Sequence, residues 1–236
     1  MLKEAEFLVK ISHPNIIPLN GFVEDVSKNM IWLVFPWEAN GSLSDFIASG
    51  NWEIPERISL INDVAEGVKY LHSRKPAICH GDLKSANVLV NSENRAVIID
   101  FGSAGLVFNV TFCASTMTIS LTGNNYTLRW AAPEVLKWDE AGLQSDIWAL
   151  GWVAFEVMTS SIPFQGVPDI TVFKRVIQGD LPSITADTRM FLIQALGSLI
   201  FKCLTTDPSK RPTAEEYQQS INWMVSNAGL QSFARN

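Results

Sequence analysis

Cys79 to Gly102 read CHGDLKSANVLVNSENRAVIIDFG, and the fold turns on how this stretch is parsed. Val88, Leu89 and Val90 form a short aliphatic run. Asn91, Ser92, Glu93 and Asn94 are turn formers, and Ala96 to Ile99 is a second apolar run. Two such runs around a polar turn predict a β-hairpin flanked by loops. A hairpin doubles the chain back. With Val90 opposite Ala96, Asn87 falls roughly opposite Ile99, next to Asp100. The open end then gathers Asp82, Lys84, Asn87 and Asp100: two carboxylates, an ammonium and an amide oxygen. Carboxylate and amide oxygens are hard ligands that suit Mg²⁺, which takes few protein groups and completes its shell with phosphate and water.

The spacing H-x-D-x-K-x-x-N from His80 to Asn87, followed by Asp100-Phe101-Gly102, resembles the catalytic and metal loops of eukaryotic protein kinases. Ala132-Pro133-Glu134 further along makes the resemblance much more specific. It extends over essentially the whole chain and points to the tyrosine-kinase-like group of the serine/threonine type. Lys84 favours serine or threonine as acceptor, whereas Trp130 sits where tyrosine kinases carry tryptophan.

The resemblance implies a role for each residue. Asp82 would orient the substrate hydroxyl and accept its proton, and Lys84 would neutralise the transferring phosphoryl group. Asn87 and Asp100 would hold Mg²⁺. Phe35 would back the adenine pocket, Pro36, Trp37 and Glu38 would form the hinge that bonds adenine, and Leu89 would also contact the nucleotide. His80, Phe101 and Thr127 are the supporting residues of the catalytic, metal and docking loops. Asp146 would brace the catalytic loop, and Glu134 would pair with Arg211. Glu4 matches the glutamate of the small-lobe helix, with Glu6 as a competitor. ATP and Mg²⁺ are the implied cofactors, and a protein substrate the implied partner.

The glycine-rich strand pair and strand lysine of the family precede that helix, whereas this chain begins at it. The expectation is therefore an α+β, protein kinase-like fold: a truncated small β lobe (1–38) and a complete, mainly helical large lobe (39–226), together one domain, with a tail over 227–236. Transfer of the ATP γ-phosphoryl group to protein Ser or Thr is the first functional reading. A catalytically inactive kinase-like fragment, or pseudokinase acting as a binding module, is the alternative, motivated by the missing phosphate roof. A small-molecule phosphotransferase is a third, disfavoured by Ala132-Pro133-Glu134.

Bulk properties narrow the field. A hydrophobic content of 47% provides for a sizeable core, and a net charge of −6 argues against a nucleic-acid partner. Three scattered cysteines, Cys79, Cys113 and Cys203, suggest a reducing compartment. Met1 opens onto Leu-Lys-Glu-Ala-Glu, too charged for a secretory core, and the longest apolar run, Ile147 to Phe155, is too short to span a membrane. A cytoplasmic protein is expected.

Periodicity predicts helices over 2–11, 57–72, 145–158, 169–178, 187–204 and 213–225, and strands over 16–24 and 30–35. Ser42, Ser145 and Thr213 are candidate caps. Residues 103–128 follow the metal loop, carry no charge and are rich in hydroxyls. A regulatory phosphate needs cationic partners, and the position before Asp82 that commonly supplies an arginine is Gly81. Activity is therefore expected to be independent of phosphorylation there.

Overall fold

The computed structural model describes residues 8–28, 30–107, 127–138, 141–181 and 191–227. The predicted helix over 2–11, including Glu4, lies mostly outside these residues, as does most of the hydroxyl-rich segment 103–128.

Two antiparallel strands come first, β1 (Gly21–Asp25) and β2 (Met30–Val34), with Val23 opposite Trp32. The strand expected over 16–24 is shorter than predicted. Pro18 lacks an amide hydrogen and cannot continue a ladder. Ahead of it, Asn15 to Ile17 instead joins the central hairpin: Ile98 N–H donates to Asn15 O, and Ile17 N–H to Ile98 O, both at 2.9 Å.

Helix α1 (Leu43–Ala48) starts at Ser42, whose hydroxyl accepts from Asp45 N–H at 3.2 Å. Helix α2 (Ile54–Ser73) is longer than predicted because Pro55 fits its first turn and Glu56 reaches back to accept from Glu53 N–H at 2.7 Å. Its buried stripe includes Ile58, Ile61, Val64, Ala65, Val68 and Leu71. Gly67 in this stripe permits close approach to the hairpin, since a Cβ there would lie 2.7 Å from Ile98 Cδ1.

The hairpin is β4 (Val88–Val90) and β5 (Ala96–Ile98), preceded by β3 (Ala77–Cys79). Val90 pairs with Ala96, the predicted register. Strand β3 pairs with β6 (Gly105–Val107), a short ladder absent from the sequence reading.

The remainder is helical: α3 (Thr127–Trp130), α4 (Pro133–Trp138), α5 (Leu143–Thr159), α6 (Asp169–Gln178), α7 (Phe191–Cys203) and α8 (Ala214–Asn227). Helix α5 is buried around most of its circumference, as expected for a run so apolar. Trp148 and Trp152 meet edge to face within it. Ser145 does not cap α5 from outside. It lies in the first turn, and its hydroxyl bonds back to the backbone of Gly142. Thr213 and Glu216 close a capping box before α8. No helix among the described residues is long and apolar enough to cross a membrane.

Candidate active site

The open end of the β4–β5 hairpin carries a compact polar cluster. Lys84 Nζ donates to Asp82 Oδ2 at 2.8 Å. Asn87 Nδ2 donates to the Asp82 backbone oxygen at 2.8 Å and to Asp82 Oδ2 at 3.0 Å. The helical turn Ser85–Asn87 brings these groups together, because it turns Asn87 back toward Asp82. Ile99 N–H donates to Asn87 O at 3.0 Å and Ile99 O bonds His80 Nε2 at 2.9 Å, so the chain entering Asp100 is held beside the same loop.

Asp100 takes a left-handed conformation, φ +63°. Aspartate tolerates that region better than most residues, yet such positions are uncommon and cluster at functional sites. Its carboxylate is exposed and accepts from Gly102 N–H at 3.3 Å. Phe101 behind it is fully buried, with its ring 5.1 Å from that of His80.

The donor set fits a hard divalent cation. Both hydrogen bonds from the Asn87 amide use its nitrogen, which leaves Oδ1 as the electron-pair donor. Asp100 contributes an exposed carboxylate. Among the described residues no group of three or more His, Cys, Asp or Glu side chains is arranged to hold a metal. An amide oxygen and a carboxylate are the kind of hard oxygen donors that a divalent cation takes.

Buried groups brace the loop from beneath. Asp146 on α5, 1% exposed, accepts from His80 N–H at 2.8 Å and from Gly81 N–H at 2.9 Å, and bonds His72 Nε2 at 2.9 Å. Burial pushes its carboxyl up, but the bond and charge of His72, the charge of His80 and the Gly81 N–H outweigh that and hold it below the usual value. Gly81 sits at φ +81°, and a Cβ there would lie 2.8 Å from Ser103 O. The glycine thus lets the two loops touch, a close approach that any side chain would oppose. Burial pushes the Cys79 thiol well up, which disfavours a reactive thiolate.

The remaining predicted residues are more dispersed. Phe35, Pro36 and Glu38 are half-buried between β2 and α1, while Trp37 is 91% exposed. Gly41 links this connection to β4 by accepting from Val90 N–H at 3.0 Å. Leu89 pairs with Val97 and bridges to Ser42. Thr127 opens α3, but its side chain lies outside the described residues, as does Glu4. Glu134 and Arg211 form a buried, two-pronged ion pair, with Nη2 donating to Oε2 at 2.8 Å.

Sequence reasoning passed over several buried polar groups. Asp63 accepts from Ala96 N–H at 3.0 Å and pairs with Arg95. Arg129 anchors α3 to the carbonyls of Phe164 (2.6 Å) and Val167 (2.8 Å) and to Asp169. His72 and Glu156 were also missed. The available signal was a charged or polar residue inside an apolar helical stripe, which is rarely buried without a partner.

The protein kinase domain family matches residues 1–224. Over 221 residues the chain is 31% identical to the serine/threonine-protein kinase fray1 of Dictyostelium discoideum, covering 92% of this chain and 37% of that protein. The serine/threonine/tyrosine-protein kinase HT1 of Arabidopsis thaliana is 30% identical over 214 residues, covering 89% and 50%. The tyrosine-protein kinase Src64B of Drosophila melanogaster is 27% identical over 218 residues, covering 91% and 37%. The chain thus spans half or less of the length of these relatives. Matched over residues 1–224, and with its two loops folded into one polar cluster, the chain belongs to the protein kinase domain family.

Proposed function

We propose that this domain transfers the γ-phosphoryl group of ATP to a serine or threonine hydroxyl of a protein substrate. The observation that carries the reading is the Lys84–Asp82–Asn87 cluster, in which one carboxylate is oriented by an ammonium and an amide at 2.8 Å and 3.0 Å. Asp82 would accept the proton as the substrate oxygen bonds to the γ-phosphorus. The bond between that phosphorus and the bridging oxygen breaks, and ADP leaves. Lys84 would offset the charge on the transferring group. Asn87 Oδ1 and Asp100 would hold Mg²⁺, which when bound neutralises phosphate charge. The family use of ATP, a divalent metal and protein substrates accords with this assignment.

Phe35 to Glu38 and Leu89 are proposed to contact the nucleotide. Glu134, Asp146 and Arg211 are assigned structural roles. A net charge of −6 fits a protein partner better than a nucleic acid. The buried thiols of Cys79 and Cys203 fit a reducing, cytoplasmic setting.

The test is transfer of labelled phosphate from ATP to a generic protein substrate. Asp82→Asn is expected to lower kcat by at least about 10²-fold, the lower end for loss of a positioned acid–base group. Equal turnover in the variant would remove Asp82 from the chemistry. Nucleotide binding without transfer in the wild type would favour the binding-module alternative.

A further inference from the structure

Glu156 on α5 carries a carboxylate to which the phosphoryl-transfer reading gives no task, although it is only 2% exposed. It touches two separate elements. Its Oε1 accepts from Ser85 Oγ at 2.6 Å, and its Oε2 accepts from Ser85 N–H at 3.3 Å and from Trp130 Nε1 at 2.8 Å. Ser85 lies directly after Lys84 and two residues before Asn87. Trp130 ends α3, two residues before Ala132-Pro133-Glu134. A crevice lined by Gly81, Asp82 and Leu83 on one side and Trp130, Ala131 and Ala132 on the other separates the same two elements.

We propose that Glu156 is a positioning residue that ties the catalytic loop and the peptide-docking segment to one point on α5, so that a shift of either is transmitted to the other. The functional names of these elements rest on the phosphoryl-transfer reading, but the mechanical coupling does not.

The carboxylate can work this way because all its observed partners donate. In the ionised state it satisfies Ser85 and Trp130 together, with charge-assisted bonds roughly twice as strong as neutral ones. In the protonated state one oxygen must itself donate. Ser85 Oγ can accept that proton, since a hydroxyl serves either way, but Trp130 Nε1 cannot. The grip on the serine therefore weakens. Burial pushes the Glu156 carboxyl up to about 7, against the downward pull of Ser85, Trp130 and the Lys84 charge. Lys84 faces it from the catalytic loop and is itself paired with Asp82. From α2, Arg57 reaches the neighbouring Val157 carbonyl and Ser160 Oγ. The coupling should loosen as pH falls through neutrality.

A pH titration of the isotope-labelled full chain tests this by NMR. The Trp130 indole N–H and the Asn87 side-chain amide signals are expected to shift together, with a common midpoint near 7. Glu156→Gln should abolish both shifts. Ser85→Ala removes the 2.6 Å hydroxyl bond but keeps the 3.3 Å backbone one, so it should diminish the Asn87 shift while Trp130 continues to titrate. An Asn87 signal that stays still while Trp130 titrates in the wild type overturns the proposal. So does common titration that survives in Glu156→Gln. Should that variant fail to fold, Ser85→Ala decides alone, and an Asn87 titration it leaves untouched overturns the proposal. With a phosphorylatable peptide, Glu156→Gln should raise the peptide KM several-fold more than the ATP KM. Absence of turnover in the wild type would count against the phosphoryl-transfer reading, and the spectra would still judge the coupling.

Discussion

Arg211→Ala should destabilise the protein severely. The Arg211 side chain is fully buried, and its guanidinium donates to both Glu134 oxygens, to Thr205 O and Gln144 O at 2.8 Å each, and to Thr206 O at 3.4 Å. It also lies 5.0 Å from the centre of the Trp148 ring. Truncation strands the Glu134 carboxylate, 6% exposed, without its counter-charge. Removing one partner of a buried pair costs about 3–5 kcal/mol. The abandoned carbonyls add about 1 kcal/mol or more where water cannot reach them. A total of about 4–6 kcal/mol is a large part of the 5–15 kcal/mol typical of a domain. For a chain of this size it corresponds to a fall in Tm of roughly 10–20 °C. Urea denaturation followed by circular dichroism would measure it. The double variant Glu134→Leu/Arg211→Met should recover much of the loss, because an apolar pair leaves no orphaned charge. If Arg211→Ala shifts Tm by no more than a degree or two, or the double variant is worse than the single, the reasoning about this pair is wrong.

Two further outcomes are expected. Gly81→Ala and Gly81→Arg should cost similar amounts, at least about 1–2 kcal/mol for a left-handed backbone. The reason is that the conflict with Ser103 O arises at the first side-chain carbon. A neutral Gly81→Arg in urea denaturation would contradict this. Asp146 titrates below its ordinary value in the folded state, so the stability it contributes is present above about pH 4 and lost as pH falls through the lower, folded value. Asp146→Asn should therefore lose at least about 1.5–3 kcal/mol at neutral pH, the scale of one hydrogen bond to a charged group, and show a shallower acid limb. Parallel stability–pH curves for wild type and variant would count against it.

How much of this could be read from the chain depended on the range of the interaction. The pairing of Val90 with Ala96 was legible because a polar turn between two apolar runs fixes the register locally. From that register alone followed the approach of Asn87 to Ile99 and the placement of Asp100 beside the loop. The α6 boundaries, Asp169–Gln178, were legible too, since Pro168 and Gly179 mark both ends. The β3–β6 ladder escaped notice because strands of three residues are too short to show alternation. Glu156 escaped for another reason. Its partner Ser85 is 71 residues away, and nothing in the local sequence announces which donors will meet a carboxylate in an apolar helix.

Asp146 and Glu156 stand ten residues apart on one helix, a separation of about 15 Å along its axis. The first grips the loop at His80 and Gly81, the second at Ser85. The reactive loop is thus a bridge with both abutments sunk in the same beam. Such a span has little freedom to melt on its own, so on heating its amides should gain exchange with solvent only when α5 itself gives way, in one cooperative step.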